Sequence, residues 1–140
     1  MSLGIVIKVP EGLVLAAESR ITLMVQQATS HGPSQMPIFF DNATKLLSFS
    51  KPNDSIGVVT YGQAVIGQTT PRTAASYLPE FEALLNKNYK DERLSVECFA
   101  DEISKFYMRQ WKENMPPIEA TPNIPNMTFV VAGFNIDEVY

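Results

Sequence analysis

The sequence predicts an α+β domain in which antiparallel hairpins come first and helices follow. Three observations support this class. Short β-branched runs joined by turn residues fill the first part of the chain, and the apolar spacing changes to a helical period after Gly62. An apolar run that begins at Met127 then returns to strand character. Two hairpins, two helices and one further strand, with the helices collected on one face of the sheet, are typical of α+β proteins.

The two hairpins are predicted from pairs of apolar runs separated by short turns. Residues 4–9 and 13–18 flank a Pro-Glu-Gly turn, and residues 45–49 and 55–61 flank a Lys-Pro-Asn-Asp turn. Neither run of the first hairpin alternates cleanly between apolar and polar residues. We therefore expect both faces of that hairpin to be covered by other layers.

The segment between the two hairpins, residues 19–44, is less regular. Residues 21–25 are apolar enough to continue as a strand. The composition of residues 29–34, Thr-Ser-His-Gly-Pro-Ser, predicts a loop. Residues 37–40 fit either a short strand or a plug of packed side chains.

The first helix is predicted from four apolar residues that share one helical face: Ala74, Leu78, Phe81 and Leu85. Pro79 lies inside that span. Proline in a helix interior removes a hydrogen bond and kinks the helix, whereas proline in the first turn is well tolerated. Pro79 therefore marks either a kink or the true start of this helix.

The second helix has the clearest signals in the chain. Ser95 is a plausible N-cap, and the acidic residues Glu97, Asp101 and Glu102 lie toward the positive end of the helix dipole. The helix is expected to end near residues 115–117, where two prolines stop it.

The last part of the chain is predicted to be a loop and a strand. Residues 116–125 carry four prolines and predict an extended loop, which residues 127–132 follow as a buried strand. Residues 135–138 look like the turn into another strand. We expect residues 1–140 to form a single domain that is incomplete at its C-terminal end, with a longer native gene product.

Charge and composition exclude several classes of function. The 140 residues include 11 Lys and Arg against 15 Asp and Glu, a net charge of -4, so no basic stripe is available for nucleic acid. No run of 18 apolar residues predicts a membrane span, and no signal segment is apparent, so we expect a cytoplasmic protein. The single cysteine, Cys98, forms no intrachain disulfide and no cysteine-based metal site. We expect no metal and no cofactor.

The candidate catalytic groups do not include a conventional triad. His31 is the only histidine, and its Ser-His-Gly-Pro setting favours a solvated loop position. Removal of Met1 would instead leave Ser2 with a hydroxyl and a free α-amine. An α-amine has a pKa of about 7.7–8.0 and serves as a general base near neutral pH. The opening Met-Ser-Leu also fits an expression-vector scar.

The run Gly-Leu-Val-Leu-Ala-Ala-Glu-Ser-Arg at residues 12–20 resembles the opening of proteasome β-type subunits. These proteins belong to the N-terminal nucleophile (Ntn) hydrolases. Further segments occupy the positions of the opening strand, the next hairpin, a helix and a strand of that family: residues 4–8, 45–49, 56–62, 94–111 and 127–134. The resemblance covers essentially the whole chain and implies an αββα sandwich of antiparallel sheets, of which this chain holds the N-terminal part.

The resemblance assigns roles to five residues. Ser2 falls on the N-terminal nucleophile, and Lys45 on the lysine that lowers the proton affinity of that nucleophile. Glu18 falls on the acidic residue that fixes the lysine, Arg20 on a structural arginine close by, and Gly62 on the glycine whose N–H stabilises the oxyanion.

The implied function is that of a threonine/serine-type peptidase, which hydrolyses amide bonds through an acyl-enzyme and needs no metal. Its partners would be like subunits in a homo-oligomeric ring and peptide or unfolded-protein substrates. Two alternatives stay open: a non-catalytic proteasome-like subunit with a structural or assembly role, and an Ntn amidase that acts on a small-molecule amide.

The chain departs from the family pattern in three ways. The nucleophile is Ser rather than Thr, the stretch between Arg20 and Lys45 is longer, and the residues that support the terminal amine would lie beyond Tyr140. The matched residues also have ordinary structural explanations. Lys45 fits a strand-edge lysine, Glu18 and Arg20 fit salt bridges to other groups, and Gly62 fits a strand-to-helix turn.

Overall fold

The structure, a computed structural model, describes residues 3–30, 32–117 and 125–135. It confirms a mixed α+β domain built from antiparallel hairpins and two helices. The strands are β1 (Gly4–Val9), β2 (Gly12–Ala17), β3 (Ile21–Thr29), β4 (Gly32–Phe40), β5 (Leu46–Ser48), β6 (Ile56–Gly62), β7 (Val65–Ile66), β8 (Arg72–Thr73) and β9 (Met127–Gly133). A 3₁₀ turn (Ala74–Tyr77) leads into α1 (Leu78–Tyr89), which α2 (Val96–Asn114) follows.

Strand β6 is the centre of the largest sheet, whose strand order is β5-β6-β9. All pairs are antiparallel, with Leu46 opposite Val59 on one side and Thr60 opposite Phe129 on the other. Both predicted hairpins and the strand that begins at Met127 are therefore confirmed. The pairing of β9 with β6 brings the end of the described chain back beside its middle.

The described residues form three layers, because β6 is covered on both faces. Val58 belongs to the buried cluster that contains the helix residues Phe81 and Phe99. Successive side chains of a strand point to opposite faces, so Val59 faces the other way. There the position of a Cβ atom on Gly4 lies only 2.6 Å from Cγ1 of Val59, which places the β1–β2 hairpin directly on β6.

The start and end of the helices agree with the signals in the sequence. Pro79 lies in the first turn of α1, so it marks the start of this helix and not a kink. The Ser95 hydroxyl accepts a hydrogen bond from the Cys98 N–H at 3.1 Å and caps α2. Helix α2 ends at Asn114, immediately before the predicted stop. In the described part of the chain, no helix is both long and apolar enough to cross a membrane.

The loop predicted for residues 29–34 is wrong, because Gly32–Phe40 is a strand. It pairs with β3 from Ile21 opposite Phe40 to Thr29 opposite Gly32, which makes a third hairpin. Composition predicted a loop here because proline is usually rare in strands. A strand tolerates proline at positions whose N–H faces away from its partner, and this hairpin has two such positions. The short β7–β8 pair was not predicted either.

The expectation that both faces of the first hairpin are covered is also wrong within the described residues. Every residue of β1 is exposed, including Ile5 and Ile7, and Val14 on β2 is exposed beside them. Alternation along the strands explains this: the face of the hairpin that carries Leu15 packs on Gly57, and no described element covers the opposite face. The predictions for His31, most of loop 116–125 and the turn at 135–138 lie outside the described residues.

We expect Phe99→Ala to lower the free energy of unfolding by about 3–5 kcal/mol. Phe99 is fully buried, and its ring centroid lies 4.7 Å from that of Phe49 and 5.5 Å from that of Phe81. Met108→Ala on the same helix is the control, because Met108 is 53% exposed and its loss is expected to cost within about 0.5 kcal/mol. Urea unfolding of the two variants measures the difference, and equal effects would contradict this core assignment.

Candidate functional site

A buried lysine stands at the start of the central sheet. Lys45 directly precedes β5, and its side chain is only 8% exposed. Lysine is rarely buried without partners, and here the Nζ donates to Oε1 of Glu18 and to the carbonyl oxygen of Arg20. The structure therefore brings together three of the residues that the sequence singles out. Lys45 is therefore not the ordinary exposed lysine of a strand edge.

Both oxygens of the Glu18 carboxylate have partners. Oε2 accepts a hydrogen bond from the Arg20 backbone N–H at 2.6 Å, while Oε1 accepts from Lys45. The hydrogen bond from Lys45 is the main reason that the pKa of Glu18 is lowered, and partial burial opposes it. Glu18 is therefore ionised at neutral pH and oriented from both sides, as an anchor for the ammonium group must be.

The Arg20 guanidinium does not contact Glu18 or Lys45 but forms an ion pair with Asp41. Its Nε lies 2.6 Å from Oδ1 of Asp41 and its Nη2 lies 3.2 Å from Oδ2, so the pair is bidentate. The hydrogen bond from Arg20 lowers the pKa of Asp41. Ser19 Oγ adds a hydrogen bond of 2.7 Å to the Asp41 carbonyl. Arg20 thus contributes its backbone carbonyl to the site, while its side chain joins the start of β3 to the residue that follows β4 and closes the base of this hairpin.

Gly62 ends β6 in a conformation that requires glycine. Its φ is +88°, and a Cβ atom there would lie 2.1 Å from the carbonyl oxygen of Asn126. The same carbonyl accepts a hydrogen bond of 3.1 Å from the N–H of Gln63. The close packing of this turn against the start of β9 therefore requires glycine at position 62. This structural requirement holds whether or not Gly62 takes part in catalysis.

The direction of the Gly62 N–H follows from the alternation of the strand. The N–H of Thr60 donates to the carbonyl of Lys45 at 2.8 Å, at the edge of β6 that faces β5. N–H groups two residues apart on a strand point to the same edge. The Gly62 N–H therefore points toward the edge where Lys45 lies.

A small cleft joins these groups. Its empty volume, including the open solvent at its mouth, is about 270 Å³. The space available to the centre of a water molecule is about 10 Å³, which is room for about one water molecule. A larger apolar cavity of about 320 Å³, widely open to solvent, adjoins it and shares Ile21, Thr44 and Thr73 with its wall. The cleft is lined by Ile21, Thr44, Lys45, Thr60, Tyr61, Gly62, Gln63, Ala64, Thr73 and Ala74.

The predicted nucleophile, Ser2, lies outside the described residues. The next residue, Leu3, is described, and its carbonyl accepts a hydrogen bond of 3.1 Å from the Glu18 N–H. The start of β1 is therefore held against the residue that anchors Lys45. The catalytic roles of Ser2, Glu18, Lys45 and Gly62 stay predictions.

Sequence reasoning missed two residues that shape this site, Asp41 and Asn126. Asp41 follows β4 and holds Arg20, while Asn126 precedes β9 and supports Gly62. Among the described residues, no group of three or more His, Cys, Asp or Glu side chains is placed to hold a metal ion. Cys98 is a free, partly buried thiol on α2.

No family model matches the chain, and no curated protein or solved structure matches it. The geometry of the site, together with the sequence resemblance, is therefore the basis for a proposed function.

We expect Glu18→Gln to weaken the pH dependence of stability in acid. The folded pKa of Glu18 lies below its ordinary value of about 4.3, so its contribution is complete above that pH and is lost as the pH falls through the folded pKa. The variant lacks this contribution and also leaves Lys45 without its counter-ion, so it is less stable at neutral pH. Urea unfolding between pH 7 and about pH 3 measures both effects.

Glu11→Gln is the matched control for this measurement. Glu11 is exposed in the turn between β1 and β2. We expect its replacement to preserve the wild-type profile of stability against pH. Parallel profiles for wild-type protein and Glu18→Gln would show that the Glu18–Lys45 pair does not stabilise the fold.

We expect Gly62→Ala to destabilise the fold by about 1–3 kcal/mol, the usual cost of a strained backbone. The added Cβ meets the Asn126 carbonyl, and the left-handed φ is unfavourable for alanine. Gly12→Ala is the control, because nothing lies within 4 Å of a Cβ at that position. Chemical unfolding compares the two variants, and a smaller loss for Gly62→Ala would contradict the assigned turn.

Proposed function

We propose that the protein is an Ntn hydrolase that cleaves amide bonds, a peptidase similar to the proteasome β-type subunits. One observation carries this proposal: a buried Lys45 ammonium, anchored by Glu18, faces the same cleft as Gly62. These are the positions to which the sequence resemblance assigns the catalytic lysine, its acidic anchor and the oxyanion glycine.

The chemistry of the proposal begins at the ammonium group. Lys45 has three N–H donors, of which Glu18 and the Arg20 carbonyl accept two. In this proposal, the third N–H donates a hydrogen bond to the hydroxyl of Ser2. The positive charge of the ammonium group favours the alkoxide form of that hydroxyl and keeps the α-amine neutral. The α-amine of Ser2 takes the hydroxyl proton as Oγ attacks the carbonyl carbon of the scissile amide.

The remaining steps follow from the same groups. The N–H of Gly62 donates to the oxyanion of the tetrahedral intermediate, a contribution that is commonly about 2.7–4 kcal/mol. The protonated α-amine then gives its proton to the leaving nitrogen as the C–N bond breaks, which leaves an acyl ester on Ser2. Water attacks this ester in the second half of the reaction, and Ser2 is released.

We also propose the finer fold of this class, the αββα sandwich. Two helices, the β5-β6-β9 sheet and the β1–β2 hairpin supply the order αββ. The exposed outer face of the hairpin, with Ile5, Ile7 and Val14, is the position that a second helical layer takes in this proposal. Assembly into rings of like subunits in the cytoplasm, and peptide or unfolded-protein substrates, belong to the same proposal.

A non-catalytic structural subunit is the second candidate. Two observations favour it: the cleft has room for only about one water molecule, and large exposed apolar side chains are concentrated on β1, β3 and β4. A small-molecule amidase is a third candidate, because the adjoining open cavity of about 320 Å³ is large enough for a small amide. The β3–β4 hairpin lines that cavity only at its base, through Ile21, Leu23 and Phe40.

We expect purified protein with a free Ser2 to release fluorophore from peptide amides, and Ser2→Ala to lose at least about a thousandfold in rate. Ser2→Thr keeps a hydroxyl and is the control that retains activity. Intact mass gives the N-terminal residue of each preparation. Turnover by Ser2→Ala at the wild-type rate would overturn the proposal. Activity on small amides alone would favour the amidase, and a free Ser2 without any activity would favour the structural subunit.

A further inference from the structure

The β3–β4 hairpin is an uncharged arm on a charged protein. Residues 21–40 contain no Asp, Glu, Lys or Arg, although 19% of the chain is charged, and Arg20 and Asp41 border this stretch. It is the longest uncharged stretch of the sequence. The large apolar side chains exposed on the arm are Met24, Val25, Met36, Phe39 and Phe40. A protein surface of this kind is typical of an interaction site.

The two edges of this arm differ in their capacity for hydrogen bonding. In the described residues, β3 and β4 pair only with each other and leave one free edge each. Pro33 lies opposite Ala28, and Pro37 lies opposite Met24. Proline has no N–H, so the free edge of β4 lacks two donors and is poorly suited to pairing with a further strand.

The free edge of β3 has no such defect. A residue opposite a proline belongs to a pair that exchanges no hydrogen bonds within the hairpin, so its own N–H and C=O point outward. This holds for Met24 and Ala28 and, by alternation, for Thr22 and Gln26. All four residues are exposed, and none is a proline or carries a charge. Natural proteins usually protect such an edge with charged residues or proline.

We propose that the free edge of β3 pairs with the same edge of a second copy of this chain. Antiparallel pairing of two identical edges is two-fold symmetric, so the contact closes on itself. With the axis at Val25, Met24 lies opposite Gln26 of the partner subunit and Thr22 lies opposite Ala28 of the partner subunit. Each outward N–H and C=O then has a partner, and the two arms form one four-stranded sheet.

A second copy fits this edge better than an unrelated partner for two reasons. The chain has a net charge of -4, and the arm, which carries no Asp, Glu, Lys or Arg, is the surface on which a second copy meets the least like-charge repulsion. A two-stranded hairpin is also marginal on its own, whereas four strands with an apolar face are stable. The copy supplies a strand of matching length, composition and register.

This inference does not depend on the proposed catalytic function. A ring of like subunits forms through head-to-tail contacts between different surfaces, whereas the β3 contact is two-fold and pairs equal surfaces. The arm also contains none of the residues that hold Lys45. Loss of pairing and loss of peptidase activity are therefore separate results.

The first test replaces one donor on each edge. Gln26 and Gln35 lie opposite each other, and both outward N–H groups are lost on mutation to proline without removal of a bond between β3 and β4. We expect the wild-type protein to double its mass with rising concentration in light scattering, Gln26→Pro to stay a monomer and Gln35→Pro to behave as wild type. A wild-type protein that stays a monomer, or equal behaviour of the two variants, would overturn the proposal.

The second test checks the register and the identity of the partner. At the two-fold axis, Val25 lies opposite Val25 of the partner subunit, and the two Cβ atoms are about 4.5–5.5 Å apart. Two like charges at this position would therefore repel each other. We expect Val25→Lys and Val25→Glu to be monomers when pure and to form a mixed dimer in a 1:1 mixture. Dimers of either pure variant, or no dimer in the mixture, would contradict pairing at this register. Circular dichroism confirms that each variant is folded.

Discussion

The ion pair between Lys45 and Glu18 joins the two sheet layers of this domain. Glu18 follows β2 in the outer hairpin, and Lys45 precedes β5 in the central sheet. An ammonium group that is 8% exposed is tolerated only when anionic and polar partners replace its water shell, and the ends of both strands supply them. The carbonyl of Lys45 is in turn bound by the N–H of Thr60. The packing of Gly4 on Val59 and this ion pair together hold the hairpin over β6.

The elements that were predictable from sequence are those with strong local signals. The cap at Ser95, the first-turn proline at Pro79 and the apolar runs of β1 and β9 act through neighbours in the chain, so the sequence reveals them. The β3–β4 hairpin was missed because its prolines argue against a strand. Only the cross-strand register shows that Pro33 and Pro37 occupy positions where no N–H is needed.

The site was predictable only in part, for the same physical reason. The resemblance selected Glu18, Lys45 and Gly62, which the fold places around one end of β5 and β6. Asp41 and Asn126 carry no local signal, since their importance comes from contacts with residues far away in the chain. The exposure of the outer face of β1 could not be predicted from composition either, because an apolar run does not show whether one or both of its faces are covered.

Arg20 couples two parts of the molecule through a single residue. Its carbonyl holds the Lys45 ammonium, while its guanidinium grips Asp41 at the foot of the β3–β4 arm. The two contacts use different parts of one residue, the side chain and the backbone. A substitution of the Arg20 side chain therefore removes the contact with Asp41 at the base of the arm but keeps the backbone carbonyl that binds Lys45.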